Sequence, residues 1–360
     1  MTNFIYLNMN MHLNIKDNIN MSKSWTPNQI LKLYRSTKTK TALLNEEGKT
    51  IPLATREKRG AYDVRVWHNE DLPDIGKKFG FLKQPKDKKI IVVNSQKGGV
   101  LKSTIAYQLA RVLAIHGIKT LGIGLEVAQR SFTLYMQPPL IDEDNDDIEQ
   151  IEAMLNKPVY GLYHLATGEN SFEEVIQNTD LPTLDYIPET PELQLLENKI
   201  MHEVKRELYL DRLLTPIKDN YDVIILDTSA YFNSLFVQNA LTMATDIIYP
   251  IGCKMGDYST VATTISQVNE FKNKVQPNWN SFSIVPVNLK MNSKNSKYFN
   301  NLIRATFKDS VTAGSIRVDE TTADDATMDD ISVIEHKPTS PLASDYYNIF
   351  YELWNEKISS

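Results

Sequence analysis

Eight residues constrain this chain more than any others: Lys97-Gly98-Gly99-Val100-Leu101-Lys102-Ser103-Thr104. They follow the apolar run Ile90-Ile91-Val92-Val93. They precede Ile105, Leu109, Val112 and Leu113, which recur at helical spacing. Strand, glycine turn and helix form the context that a phosphate-binding loop needs. In such a loop backbone N–H groups turn inward, and the new helix points its positive end at the same spot. Lys102 is placed to reach β- and γ-phosphates, and Ser103 to set its hydroxyl on Mg²⁺. The ligand class implied is a nucleoside triphosphate.

The spacing is not the ordinary G-x-x-x-x-G-K-[ST]. Gln96 stands where the first glycine would be and Leu101 where the last would be, and a lysine, Lys97, sits five residues before Lys102. This pattern resembles the deviant Walker A loop of the ParA/MinD group of P-loop ATPases. The resemblance implies that Lys97 crosses a nucleotide-sandwich homodimer to touch the partner's phosphates. Leu101 departs from the commonest form, which has glycine there.

Asp222-Val223-Ile224-Ile225-Leu226-Asp227 is an apolar strand ending in an acid, the Walker B position, where Asp227 would hold Mg²⁺ through water. The family usually continues Asp-Thr-Pro-Pro; here it reads Asp227-Thr228-Ser229-Ala230. A second acid belongs after the second strand, in a pattern close to Ile-Asp-x-Asp-Pro-Gln. The matching stretch is Ile123-Gly124-Leu125-Glu126-Val127-Ala128-Gln129, so Gly124 replaces the first aspartate and Glu126 the second. Glu126 either orients the attacking water or is a loop acid without a catalytic role. Asn288, closing the strand Ile284 to Val287, either contacts the adenine base or caps its loop.

The net charge of −6 hides an asymmetry. Residues 21–89 carry 16 Lys and Arg against 8 Asp and Glu, whereas residues 90–360 carry 22 against 36. A basic front end on an acidic body suits a polyanion partner. Within it Thr26-Pro27 starts a helix, with Ile30, Leu31 and Tyr34 at helical spacing. Ser36 to Asn45 reads as a second helix, Arg56 to Gly60 as a basic turn, Tyr62 to Trp67 as a strand, and Glu70 to Phe79 as a helix that Pro73 delays. This order resembles the MerR-like winged helix-turn-helix that precedes large plasmid-type ParA proteins. The resemblance assigns Thr37, Lys38, Lys40 and Thr41 to a reading helix, and Arg56, Lys58 and Arg59 to a wing on phosphates. The alternative is a helical docking domain without DNA contact.

The expected division is a disordered tail or early start codon at 1–22, a winged helix-turn-helix at 23–83, a polar linker at 84–89 and an ATPase domain at 90–360. The last of these is α/β with a doubly wound, mostly parallel sheet, since strands alternate with helices from residue 90 onward. Ile141 to Glu149 reads as an acidic surface loop leading to a helix around Ile151 and Leu155, and Glu192 to Leu214 as largely helical. A lone cysteine, Cys253, excludes an intramolecular disulfide and fits a reducing cytoplasm. It also cannot supply the paired cysteines of the iron–sulfur reductases that share this loop. No run approaches the roughly 18 apolar residues that span a membrane. The last helix, Tyr346 to Trp354, lacks the basic amphipathic face by which MinD binds membranes.

The resemblance implies a nucleoid-associated partition ATPase of a plasmid or similar replicon. It would dimerise on ATP, bind duplex DNA both non-specifically and at an operator, and be stimulated by a ParB-type centromere-binding protein. The alternative is an ATP-responsive transcriptional regulator with vestigial hydrolysis, motivated by Gly124 and by Asp-Thr-Ser-Ala.

Overall fold

The structure is a computed structural model, and it describes residues 23–126, 128–137, 158–329 and 331–359, apart from the side chain of residue 262. The expected N-terminal tail and the acidic stretch with the helix after it lie outside the described residues.

The front end contains helices α1 (Pro27–Leu33) and α2 (Lys40–Glu46), a hairpin of β1 (Thr55–Arg59) with β2 (Tyr62–Val66), and α3 (Leu72–Phe79). Pro27 is the first residue of α1, and Asn69–Asp71 form a short 3-10 turn before α3, so Pro73 does delay that helix. Helix α2 starts later than the sequence predicts because the Thr39 hydroxyl caps it, accepting from the Ala42 N–H. Residues 56–59, expected in a turn, lie on strand β1 and leave the turn itself to Gly60, at φ 63°.

A seven-stranded sheet follows, ordered β5-β6-β4-β7-β3-β8-β9. Its strands are β3 (Lys89–Val93), β4 (Thr120–Leu125), β5 (Gln177–Asn178), β6 (Leu184–Ile187), β7 (Val223–Thr228), β8 (Asp246–Gly252) and β9 (Ser281–Val287). Every neighbouring pair is parallel except β5 with β6, which is antiparallel. Strands β3 and β7 are largely Val, Ile and Leu, and β4, which alternates Leu and Ile with glycine, is buried along its whole length, as in a sheet covered on both faces. Helix α4 (Lys102–Ile115) is buried along almost its whole length and stops at Gly117, at φ 72°. Next come α5 (Ser131–Met136), α6 (Leu162–Thr167), α7 (Phe172–Val175), α8 (Leu193–Met201), α9 (Tyr209–Leu214) and α10 (Leu235–Met243). The rest are α11 (Met255–Val275), α12 (Lys294–Phe307), α13 (Glu320–Met328), α14 (Val333–His336) and α15 (Pro341–Glu352). The span Glu192 to Leu214, expected to be largely helical, is so, in two helices separated near Lys205, whose φ is 52°.

One hydrophobic cluster runs from Trp25, Ile30, Leu43 and Trp67 in the front end through α4 to Phe350 and Trp354 at the chain's end. The contact is close: a Cβ on Gly76 of α3 would lie 1.9 Å from the Ile115 carbonyl oxygen, so only glycine fits. The Tyr34 hydroxyl lies 2.7 Å from the Leu72 carbonyl and 2.9 Å from that of Ile115. Beneath them Arg111 is 3% exposed and donates to Asp180 and to Glu335, each at 2.8–2.9 Å. Asn69 of the front end donates to the same Asp180.

Candidate nucleotide site

The loop between β3 and α4 is held from three sides. Asn94 donates to the Thr228 hydroxyl at 2.8 Å, and that hydroxyl donates to the Val93 carbonyl, tying the ends of β3 and β7 together. The Gln96 N–H donates to the Tyr249 hydroxyl, and its side chain to Gln267 of α11. Asn288, at φ 55° after β9, donates to the Gly99 carbonyl at 2.9 Å. That bond places Asn288 against the loop.

Within the loop Gly99 and Leu101 both adopt left-handed backbone, at φ 71° and 60°. Leucine in that region costs roughly 1–2 kcal/mol. Leu101 is the cap of α4, where the family more often has glycine. Gly98 and Gly99 are exposed and a Cβ on either would meet no protein atom within 4 Å, so the loop is open there, a candidate cradle for a ligand's oxygens. Val100 is buried in the core and anchors the loop, while Thr104 lies on the first turn of α4 beside Tyr135.

Four charged side chains converge at the start of α4. Lys102 is 9% exposed and folds back so that its Nζ lies 3.4 Å from the Lys97 carbonyl. Burial lowers its pKa, and Asp227 and Glu126 oppose that shift. Asp227 is wholly buried, and neither carboxylate oxygen meets a donor at hydrogen-bond distance. Burial holds its pKa far above the usual carboxylate range and Glu189 adds to this; the nearby Ser103 hydroxyl and Lys102 pull the other way. A buried, unpartnered acid next to a hydroxyl at a helix start is costly unless a cation completes it. Asp227 and Ser103 therefore suit a Mg²⁺ ion, with the ligand's phosphates in the cradle.

The fourth group is Glu189, which sequence reasoning missed. It stands two residues beyond β6, is 2% exposed, and has its pKa pushed up to about 7 by burial. Its signal was indirect: a glycine at 124 where an acid is expected. Lys97 lines a narrow cleft beside the loop with Ser95, Tyr249 and Asp257. Asp257, in the first turn of α11, is a second buried carboxylate without a hydrogen bond; the Lys254 ammonium is 3.6 Å away.

The seven DNA candidates, Thr37, Lys38, Lys40, Thr41, Arg56, Lys58 and Arg59, are all exposed. Lys40 and Thr41 lie on α2, Thr37 and Lys38 just before it, and Arg56, Lys58 and Arg59 on β1. Arg59 pairs with Glu57, and the Lys38 ammonium sits 4.8 Å over the Phe79 ring.

Residues 88–281, just over half of the chain, match the family model described as AAA domain. The sporulation initiation inhibitor protein Soj of Bacillus subtilis is 28% identical over 166 residues, 46% of this chain and 59% of that protein. The chromosome partitioning protein ParA of Myxococcus xanthus is 30% identical over 166 residues, 46% of this chain and 53% of that one. The matched segment thus spans little more than half the length of these relatives. Among solved structures, a Borrelia burgdorferi protein assigned to plasmid partition and bound to AMPPNP superposes with a TM-score of 0.54. Its identity is 24%, and the match covers 73% of this chain and 97% of that one. With the loop, the sheet order and the domain match in agreement, the chain belongs to the AAA domain family and has the fold of a P-loop ATPase.

Proposed function

We propose that this protein is a partition ATPase: it binds ATP and Mg²⁺ at the start of α4, closes as a homodimer, and hydrolyses ATP slowly until a partner stimulates it. The observation that carries this reading is the buried, unpartnered Asp227 beside Ser103 and Lys102, at the mouth of a cradle formed by Gly98 and Gly99. Lys102 neutralises charge on the β- and γ-phosphates, and the backbone from Gly98 to Thr104 supplies N–H donors to them. Ser103 and Asp227 would hold the metal ion, which would supply charge neutralisation across the phosphates. Glu126 positions the attacking water, while Asn288 braces the loop from the base side. Lys97 reaches the second copy's phosphates. Catalysis here is mainly placement and electrostatics, which suits a site with few proton-transfer groups.

The exposed basic residues of α2 and β1 form the DNA-facing surface, for an operator and for duplex DNA in general. The partner of closest chemical fit is a small basic centromere-binding protein of the ParB type. A second reading, an ATP-responsive transcriptional regulator, is favoured by Gly124, which carries no acid.

One experiment separates them: phosphate release by the full chain with duplex DNA and the product of the neighbouring gene. Stimulated turnover, lost in Lys102→Ala and Lys97→Ala, supports partition. ATP-dependent operator binding without turnover supports the regulator. Protein that neither binds ATP nor retards duplex DNA overturns both.

A further inference from the structure

A carboxyl group reaches the space beside Gly124 from just beyond the end of the neighbouring strand. In the sheet β6, β4 and β7 are consecutive, and Gly124 lies directly opposite Asp227 in the β4–β7 register. Ile123 lies opposite Ile187, so Glu189 leaves the end of β6 beside Gly124 and on the way to Asp227. A Cβ on Gly124 would lie 2.3 Å from Glu189 Cγ and 2.4 Å from its Cδ. Any side chain at 124 therefore excludes the glutamate in this position.

Both carboxylate oxygens of Glu189 are used. Oε1 accepts from the Glu126 N–H at 3.1 Å, and Oε2 from the Thr133 N–H at 3.1 Å. The Glu189 N–H donates in return to the Thr133 hydroxyl at 2.7 Å. One side chain thus clasps the end of β4 to the first turn of α5. Two backbone donors, one buried and one partly buried, would lose their partner without it. The acid it aims, Glu126, is close enough to act electrostatically on Lys102 and Asp227.

We propose that Glu189 is the positioning residue of the nucleotide site, filling the place that Gly124 leaves open and setting the Glu126 backbone toward the phosphates. The inference rests on the ATPase reading above. It assigns a role to a pair: glycine at 124 is required because the carboxyl group arrives from 189.

The test compares the full chain with Glu189→Gln, Glu189→Ala, Gly124→Asp and the double variant Gly124→Asp/Glu189→Ala. Single-turnover ATP hydrolysis is measured with protein in excess and duplex DNA present, and affinity with a fluorescent ATP analogue. Both Glu189 variants should lose about tenfold or more in hydrolysis while affinity stays within about threefold. Gly124→Asp alone should lose a similar amount by driving into Glu189, and the double variant should recover to within about threefold of the parent. Glu189→Gln is nearly isosteric and keeps the comparison open if the alanine variant unfolds. Unchanged hydrolysis in the Glu189 variants overturns the proposal. So does a double variant no better than the worse single one, or hydrolysis and affinity falling in parallel, which marks a merely structural clasp. A parent protein without ATP binding or turnover sinks the ATPase reading itself, whereas a working parent with indifferent variants sinks only this inference.

Discussion

The two ends of helix α4 carry buried charge in opposite ways. At its C-terminal end Arg111 meets Asp180 and Glu335 in paired hydrogen bonds, and Tyr34 reaches the Ile115 carbonyl. At its N-terminal end Lys102 and Asp227 are buried without hydrogen-bonded ion pairs, and the Ser103 hydroxyl is close to Asp227 but outside hydrogen-bond geometry. A junction that only has to hold two parts together pairs its charges within the protein. A site that has to accept a charged ligand leaves them for the ligand to complete.

The largest effect expected from breaking this comparison is at the paired end. Arg111→Met leaves two carboxylates uncompensated beside α4 and should cost about 3–5 kcal/mol in denaturant unfolding. ATP affinity of the folded fraction should stay within about threefold, because the cradle lies at the other end of the helix.

Acidity should act on the two ends with opposite sign. Burial holds the His116 imidazole, between Tyr34 and Phe81, down at about 4. Its Nδ1 lies 2.6 Å from the Val112 carbonyl, which assigns the proton to that nitrogen and leaves Nε2 bare. The unfolded chain takes up the proton first, so this stability is present above about pH 6.5 and is lost as pH falls toward 4. Glu189 is raised instead, to about 7, so its contribution is full below about pH 4.5 and is lost as pH rises through 7. Each swing is on the order of 3 kcal/mol. Unfolding curves across pH 4–8 should steepen on the acid side in Glu189→Gln and flatten there in His116→Phe. Identical profiles would remove the contrast between the two ends.

Smaller still is the gain expected at Asp227. Asp227→Asn removes a buried unpaired acid and should stabilise the ligand-free protein by about 1–2 kcal/mol while abolishing Mg²⁺-dependent binding. Leu101→Gly exchanges left-handed strain for lost packing, so stability should move by less than about 1 kcal/mol and ATP binding should persist. Thermal unfolding with and without Mg-ATP checks both.

Much of this was legible from sequence because it rests on local pattern. Val, Ile and Leu runs marked β3, β7 and β8, and Pro27, Pro73 and Gly117 marked helix ends through their own backbone geometry. The loop lysines and Asp227 declared themselves by spacing and order along the chain. Helix α11 escaped notice because it is polar over a long stretch with a weak apolar stripe, and α12 because it is polar on average although Phe299, Leu302 and Ile303 share a face. Glu189 escaped because its partners Gly124 and Thr133 are 65 and 56 residues away, and only strand order brings them together. Arg111 was hidden for the same reason: in the sequence it is one more cation on a helix, and its carboxylates are 69 and 224 residues distant.

The central claim, that the start of α4 is left unpaired for a Mg-nucleotide, is tested most directly by titration calorimetry of ATP with and without Mg²⁺ on the full chain and on Lys102→Ala. One ATP per chain, tightened by Mg²⁺ and weakened about a hundredfold or more in the variant, is the predicted result. Binding that ignores both Mg²⁺ and Lys102, or no binding at all, would contradict it.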